Sequence, residues 1–115
     1  MRGARQSRRH RRRTLRVQVD YVSTLGRRSG TATTLGAGGL FVSTDEPLEP
    51  DCRIAVRFRL PGGDRLYTLQ GRVVWANPPV EGRTRNVGMG IEFTEPAACV
   101  NLARELEALE LGASD

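Results

Sequence analysis

Two groups of residues in this chain combine the types and the spacing that chemistry requires. The first is Arg12-x-x-x-Arg16. Arginine presents a planar fork of donors that engages phosphate at two points and stacks on flat rings, which lysine cannot do. The pattern after Arg16 puts that residue on a strand, where a scaffold fixes it, whereas Arg12 belongs to a segment able to fold over a ligand. The second group is Thr34-Leu35-Gly36-Ala37-Gly38-Gly39. Glycines let a backbone approach a flat ligand and expose its amide donors. This stretch is not a phosphate loop, because it has no lysine and no helix follows it. On type and spacing alone, a solvated basic tail accounts for the arginines and a barrel corner for the glycines.

The rest of the composition narrows the chemistry by exclusion. All eighteen basic residues among the 115 are arginine, against thirteen acids. Met1 to Arg16 holds eight of them and no acid, so +8 resides there and −3 in residues 17–115, a net charge of +5. The body is therefore mildly acidic, and the basic total describes one segment. The sole histidine, His10, lies inside the arginine run, which leaves the body without a histidine base for a triad or a metal. Asp45, Glu46, Asp64 and Glu92 have no partner at a spacing that suggests proton transfer or metal binding. Cys52 and Cys99 are too few for a disulfide framework and lack zinc-site spacing, so both are expected as buried thiols. No catalysis, cofactor or metal is expected. No apolar run approaches the roughly 18 residues of a membrane span, and no hydrophobic region follows the N-terminal charges. The expectation is a cytoplasmic protein without membrane insertion, with room for one core.

The elements that must position these residues follow from periodicity. Residues 1–11 are polar and cationic without a repeat, which predicts a disordered tail. Val17, Val19 and Tyr21 alternate with Gln18 and Asp20, a first strand with one buried face. Ser23 to Gly30 is expected to turn the chain, and Thr31 to Leu35 to form a short strand before the glycines and the run Leu40-Phe41-Val42. Asp45 to Asp51 is a loop. The cleanest alternation sets Ile54, Val56, Phe58 and Leu60 against Arg53, Arg57 and Arg59, a period of two that no helix makes. Pro61-Gly62-Gly63-Asp64 is a tight turn, and Leu66 to Trp75 returns as a strand with Gly71 as a bend. Asn77 to Arg85 is a second loop, and Val87 to Phe93 the last strand. Thr94-Glu95-Pro96 then offers a helix cap, and Leu102, Leu106 and Leu109 repeat at helical spacing with Glu105, Glu107 and Glu110 between them. Some six short strands with frequent turns predict a closed antiparallel barrel followed by a helix, since closure removes sticky edges.

At this point the residues resemble a known family. Arg12-x-x-x-Arg16-Val17, then Gly38-Gly39-Leu40-Phe41-Val42-Ser43-Thr44, Pro47-Leu48, Phe58-Arg59-Leu60-Pro61-Gly62-Gly63, Gly71-Arg72-Val73-Val74-Trp75 and Gly88-Met89-Gly90-Ile91-Glu92-Phe93 follow in an order that looks like a PilZ domain. The resemblance implies a six-stranded barrel over 12–95 with a C-terminal helix over 96–111. It also implies a receptor for the bacterial second messenger cyclic di-GMP, whose phosphates and guanines an arginine pair clamps. A second family motif, Asp or Asn, any residue, Ser, any two, Gly, contacts a guanine from the barrel. With its last glycine on Gly39, Thr34 stands where Asp or Asn belongs and Gly36 where Ser belongs. Thr34 keeps one hydroxyl and Gly36 only backbone, so two side-chain hydrogen bonds at about 1 kcal/mol each are lost. The ligand-binding residues implied are Arg12, Arg16, Thr34, Gly36 and Gly39.

Three functions are weighed on this basis. One is a single-domain receptor that binds cyclic di-GMP through the arginine clamp and relays it to a protein partner not yet identified, as a monomer or weak dimer. A second is a degenerate domain of the same fold that acts by protein–protein contact without the nucleotide. The third is nucleic-acid binding by the arginine tail through counterion release. The body offers no basic face in sequence and aromatics are only 5%, which argues against the third, since stacking platforms need rings.

Overall fold

The computed structural model describes residues 13–80 and 87–113, with side chains over 15–80 and 87–109. Its strands are β1 (Arg13–Ser23), β2 (Gly26–Gly36), β3 (Gly39–Ser43), β4 (Arg53–Phe58), β5 (Tyr67–Asn77) and β6 (Gly88–Phe93). They close into an antiparallel barrel in the order β1-β2-β3-β6-β5-β4. A 3-10 turn at Pro96–Cys99 leads into helix α1 (Val100–Ala113). The closed barrel with one C-terminal helix is the architecture that the strand count and the leucine spacing predict.

Period two decides which side chains fill the interior. On β4, Ile54, Val56 and Phe58 are buried while Arg53 and Arg57 are exposed, and on β1 Val17, Val19 and Tyr21 are buried between exposed Gln18, Asp20 and Val22. Leu35, Leu40, Val42, Leu69, Val73, Met89 and Ile91 are among the other strand residues of the core. Leu102 and Leu106 of α1 join the same cluster, with Leu109 packed at its edge, so the helix covers its own barrel. Removing those leucines from water stabilises the closure by roughly 2 kcal/mol each.

Several boundaries differ from the sequence reading. The first turn is only Thr24-Leu25, with Ser23 facing Gly26 across it, and β2 runs through the stretch expected to be loop. Gly30 permits this, because a Cβ there would lie 2.7 Å from Val42 Cγ1. Gly71 is not a bend: β5 continues through it, and a Cβ would meet Ile91 Cγ2 at 2.8 Å. The irregularity in β5 falls between Val73 and Trp75 instead. No side chain caps the 3-10 turn after Glu95; its carbonyl accepts from the Ala98 amide at 2.9 Å. Cys99 is buried as expected, and its thiol is pushed up by burial reinforced by Glu95, whereas Cys52 is only partly buried. The expected tail, 1–11, lies outside the described residues. Among the described residues no helix is long and apolar enough to cross a membrane.

Polar contacts at Glu105 tie the helix to the barrel. Tyr67, stacked on Phe58 at 5.5 Å, donates its hydroxyl to Glu105 Oε1 at 2.6 Å, and Arg65 Nε lies 3.6 Å from the other carboxylate oxygen. Burial first, then the bond to Glu105, raises the phenol well above its ordinary value, which is about 10. As pH rises past that ordinary value only the unfolded chain releases the proton, so stability falls with pH there and is unaffected at neutrality. Tyr67→Phe is expected to cost about 1 kcal/mol at neutral pH and to flatten the alkaline fall. Urea unfolding at about pH 8 and about pH 11 measures both.

Candidate functional site

The sequence-predicted residues gather around the N-terminal half of β1. Thr14 faces Thr34 and Val17 faces Ala32, so Leu15 and Arg16 together oppose Thr33 as a bulge. A bulge re-aims the side chain it carries. Arg16 is exposed and no carboxylate pairs with it among the described residues. Arg12 lies outside the described residues.

Thr34 faces Phe41 across the β2–β3 ladder, while Leu35 and Leu40, one step on, are buried. Gly36 faces Gly39 as the closing pair of that hairpin, with Ala37-Gly38 as the turn. The turn is held to the barrel by Phe93, whose amide donates to the Gly38 carbonyl at 2.9 Å. Gly39 meets a tighter demand, since a Cβ there would run into the Ile91 carbonyl oxygen of β6. Its lack of a side chain thus has a packing cause independent of any ligand.

Two features escaped sequence reasoning. Phe41 and Trp75 stack at 5.3 Å and 22°, and the indole lies over Gly90, where a Cβ would strike it. Trp75 is 40% exposed, so two of six aromatic residues form a flat apolar surface next to Thr34. The second feature is a seam. The ladder between β1 and β4 holds only Asp20↔Arg57, Tyr21↔Val56 and Val22↔Ala55. Toward Arg16 the strands part over a groove of about 420 Å³, lined by the buried Val17 and Phe58, by Arg16, Arg57 and Arg59, and by Gln18 and Asp20. The alternation sets Arg57 and Arg59 outward, but only closure of β4 against β1 brings them to Arg16.

This arrangement suits binding rather than catalysis. Among the described residues no three His, Cys, Asp or Glu side chains are grouped to hold a metal ion. The polar groups at the site are mostly donors, guanidinium groups, one threonine hydroxyl and backbone amides, with Gln18 and Asp20 also lining the groove, and such a donor set holds an anion.

Comparison with known proteins agrees with the geometry. The barrel is similar to the crystal structure of the PilZ domain of CeSA from a cellulose-synthesizing bacterium, with a TM-score of 0.60 and 20% identity over 84% of this chain and 98% of that one. It is also similar to the Bacillus subtilis inhibitor of motility MotI/DgrA, with a TM-score of 0.65 and 15% identity over 88% of this chain and 51% of that one, so it spans about half of the latter. No curated protein sequence matches. The family model described as PilZ domain matches residues 6–109. Nearly the whole chain being matched, from before the arginine pair into α1, it belongs to the PilZ domain family, non-catalytic domains that receive cyclic di-GMP.

Proposed function

We propose that this chain is a receptor domain that binds cyclic di-GMP through Arg12 and Arg16 and relays its occupancy to a protein partner. In this reading residues 1–11 are an arm, 12–95 the barrel and 96–111 the helix, and the arm closes on the barrel when the ligand binds. The observation that carries it is Arg16: exposed, fixed on β1 at a bulge, beside a groove, and unpaired by any acid among the described residues. An arginine already neutralised by a carboxylate would gain less from a phosphate. Thr34, Gly36 and Gly39 supply a hydroxyl and backbone donors from the neighbouring hairpin. Calorimetric titration of the purified full chain with cyclic di-GMP tests the reading; saturable heat supports it, and its absence at high protein concentration sinks it.

A second reading, an adaptor of the same fold that does without the nucleotide, is favoured by one observation. The β2–β3 hairpin offers Thr34 and Gly36 where the family pattern has two guanine-reading side chains. The pair Thr34→Asn with Gly36→Ser separates the two. For a receptor it is expected to strengthen existing binding by roughly 30-fold, the return of two hydrogen bonds. For an adaptor, heat appears only in the double variant.

A further inference from the structure

Of the arginines with described side chains, three are held by acids and the rest, Arg27, Arg53 and Arg104 among them, are not; what sets three of these apart is that they share a groove. Arg72 is held at 2.8 Å by Asp51 and at 3.1 Å by Glu92, Arg65 lies 3.6 Å from Glu105, and Arg28 lies 3.9 Å from Glu46. Arg16 and Arg57 have no such partner among the described residues, and Arg59 uses only its Nε, on the Asp64 carbonyl at 3.3 Å. These three line one groove where β1 and β4 part, together with Gln18 and a single acid, Asp20. Asp20 is directly across the ladder from Arg57, yet its carboxylate accepts from the Ser29 hydroxyl at 2.9 Å and forms no ion pair with Arg57. Three guanidinium groups against one carboxylate leave an excess of positive charge in the groove, and a bound anion relieves the repulsion.

We propose that Arg57 and Arg59 of β4, with Arg16, form a phosphate-binding site across the β1–β4 seam, for a ligand carrying two phosphate groups. This site lies on the opposite flank of β1 from Thr34, Gly36 and Gly39, the flank on which the side-chain donors are few. The volume, about 420 Å³, is within the range of small-molecule sites. Val17, Phe58, Pro61 and Leu66 give it an apolar lining, against which charge-assisted bonds are strengthened. The receptor reading above seats cyclic di-GMP on Arg16 and the β2–β3 hairpin, so what is assigned here is a phosphate of it reaching across Arg16 into the groove, and that assignment rests on that reading; the phosphate chemistry of the groove does not.

The test titrates the full chain with cyclic di-GMP and, separately, with inorganic pyrophosphate at fixed ionic strength. The variants are Arg57→Gln, Arg59→Gln, Asp20→Asn and Arg27→Gln, the last removing an exposed charge at the far end of β2. Arg57→Gln is expected to weaken both ligands by about tenfold or more and Arg59→Gln to do the same, with Arg27→Gln within about twofold. Asp20→Asn is expected to tighten both by about two- to threefold, a gain that a purely structural role would not produce. If cyclic di-GMP binds but Arg57→Gln behaves as Arg27→Gln does, the groove is overturned and the receptor reading survives. If only pyrophosphate binds, and Arg57→Gln abolishes it, the groove stands and the receptor reading fails. If neither anion binds the parent chain, both fall.

Discussion

Arg16→Ala is expected to lower the affinity for cyclic di-GMP by about 10- to 150-fold and to leave the unfolding free energy within about 0.5 kcal/mol of the parent. The first figure follows from charge-assisted contacts, each contributing roughly 1.5–3 kcal/mol. The second follows from surroundings: Arg16 is exposed and has no ion-pair partner among the described residues, so truncation unpairs nothing and opens no cavity. A loss of binding without a loss of stability is therefore the signature of a ligand-binding arginine here. Arg16→Lys sharpens it. Lysine keeps the charge but not the two-point fork, so it restores the long-range attraction while most of the affinity stays lost. Calorimetric titrations beside urea melts measure both quantities, and Arg16→Ala binding like the parent would remove the clamp from the mechanism.

Sequence alone yields those parts of this fold whose pattern is local. The alternation of Ile54, Val56 and Phe58 with Arg53 and Arg57 fixes β4 because each residue's face depends only on its neighbours along the strand. The stripe Leu102, Leu106 fixes the covered side of α1 in the same way. The reading fails where a distant backbone decides. Gly30 reads as turn material, yet it is strand because Val42 of β3 needs the space its side chain would fill. Gly71 reads as a bend for the same lack of non-local knowledge, when Ile91 of β6 is the cause. The site divides along this line too. Arg16 is legible from its spacing and its place at the start of a strand. Arg57 and Arg59 read only as an outward face, because the order β1-β2-β3-β6-β5-β4 puts β4 beside β1 through closure rather than through chain proximity. Phe41 and Trp75 likewise meet only because β3 and β5 both flank β6.

Gly39→Ala is expected to destabilise the chain by about 3 kcal/mol, at the upper end of what overpacking costs, and so to weaken ligand binding only through the folded fraction. The resemblance to the family assigns Gly39 to the ligand site, but the packing supplies a different cause. A methyl group there runs into the Ile91 carbonyl, at the end of the β3–β6 ladder where Gly39 faces Glu92 and Leu40 faces Ile91. The obstacle is backbone, which cannot swing aside as a side-chain tip would. The strands must separate instead, with loss of ladder bonds and of the Phe93 amide bond to Gly38 at 2.9 Å. Thr34→Ala gives the contrast. Its hydroxyl is on the outer face and makes no hydrogen bond among the described residues, so stability changes by no more than about 0.5 kcal/mol while any contribution to ligand binding is lost outright. Urea unfolding separates the two variants, and titration at a temperature where both remain folded completes the comparison. Gly39→Ala that keeps parental stability yet fails to bind would return Gly39 to the ligand site; a destabilised variant whose folded fraction binds normally makes it the residue that lets β3 close on β6.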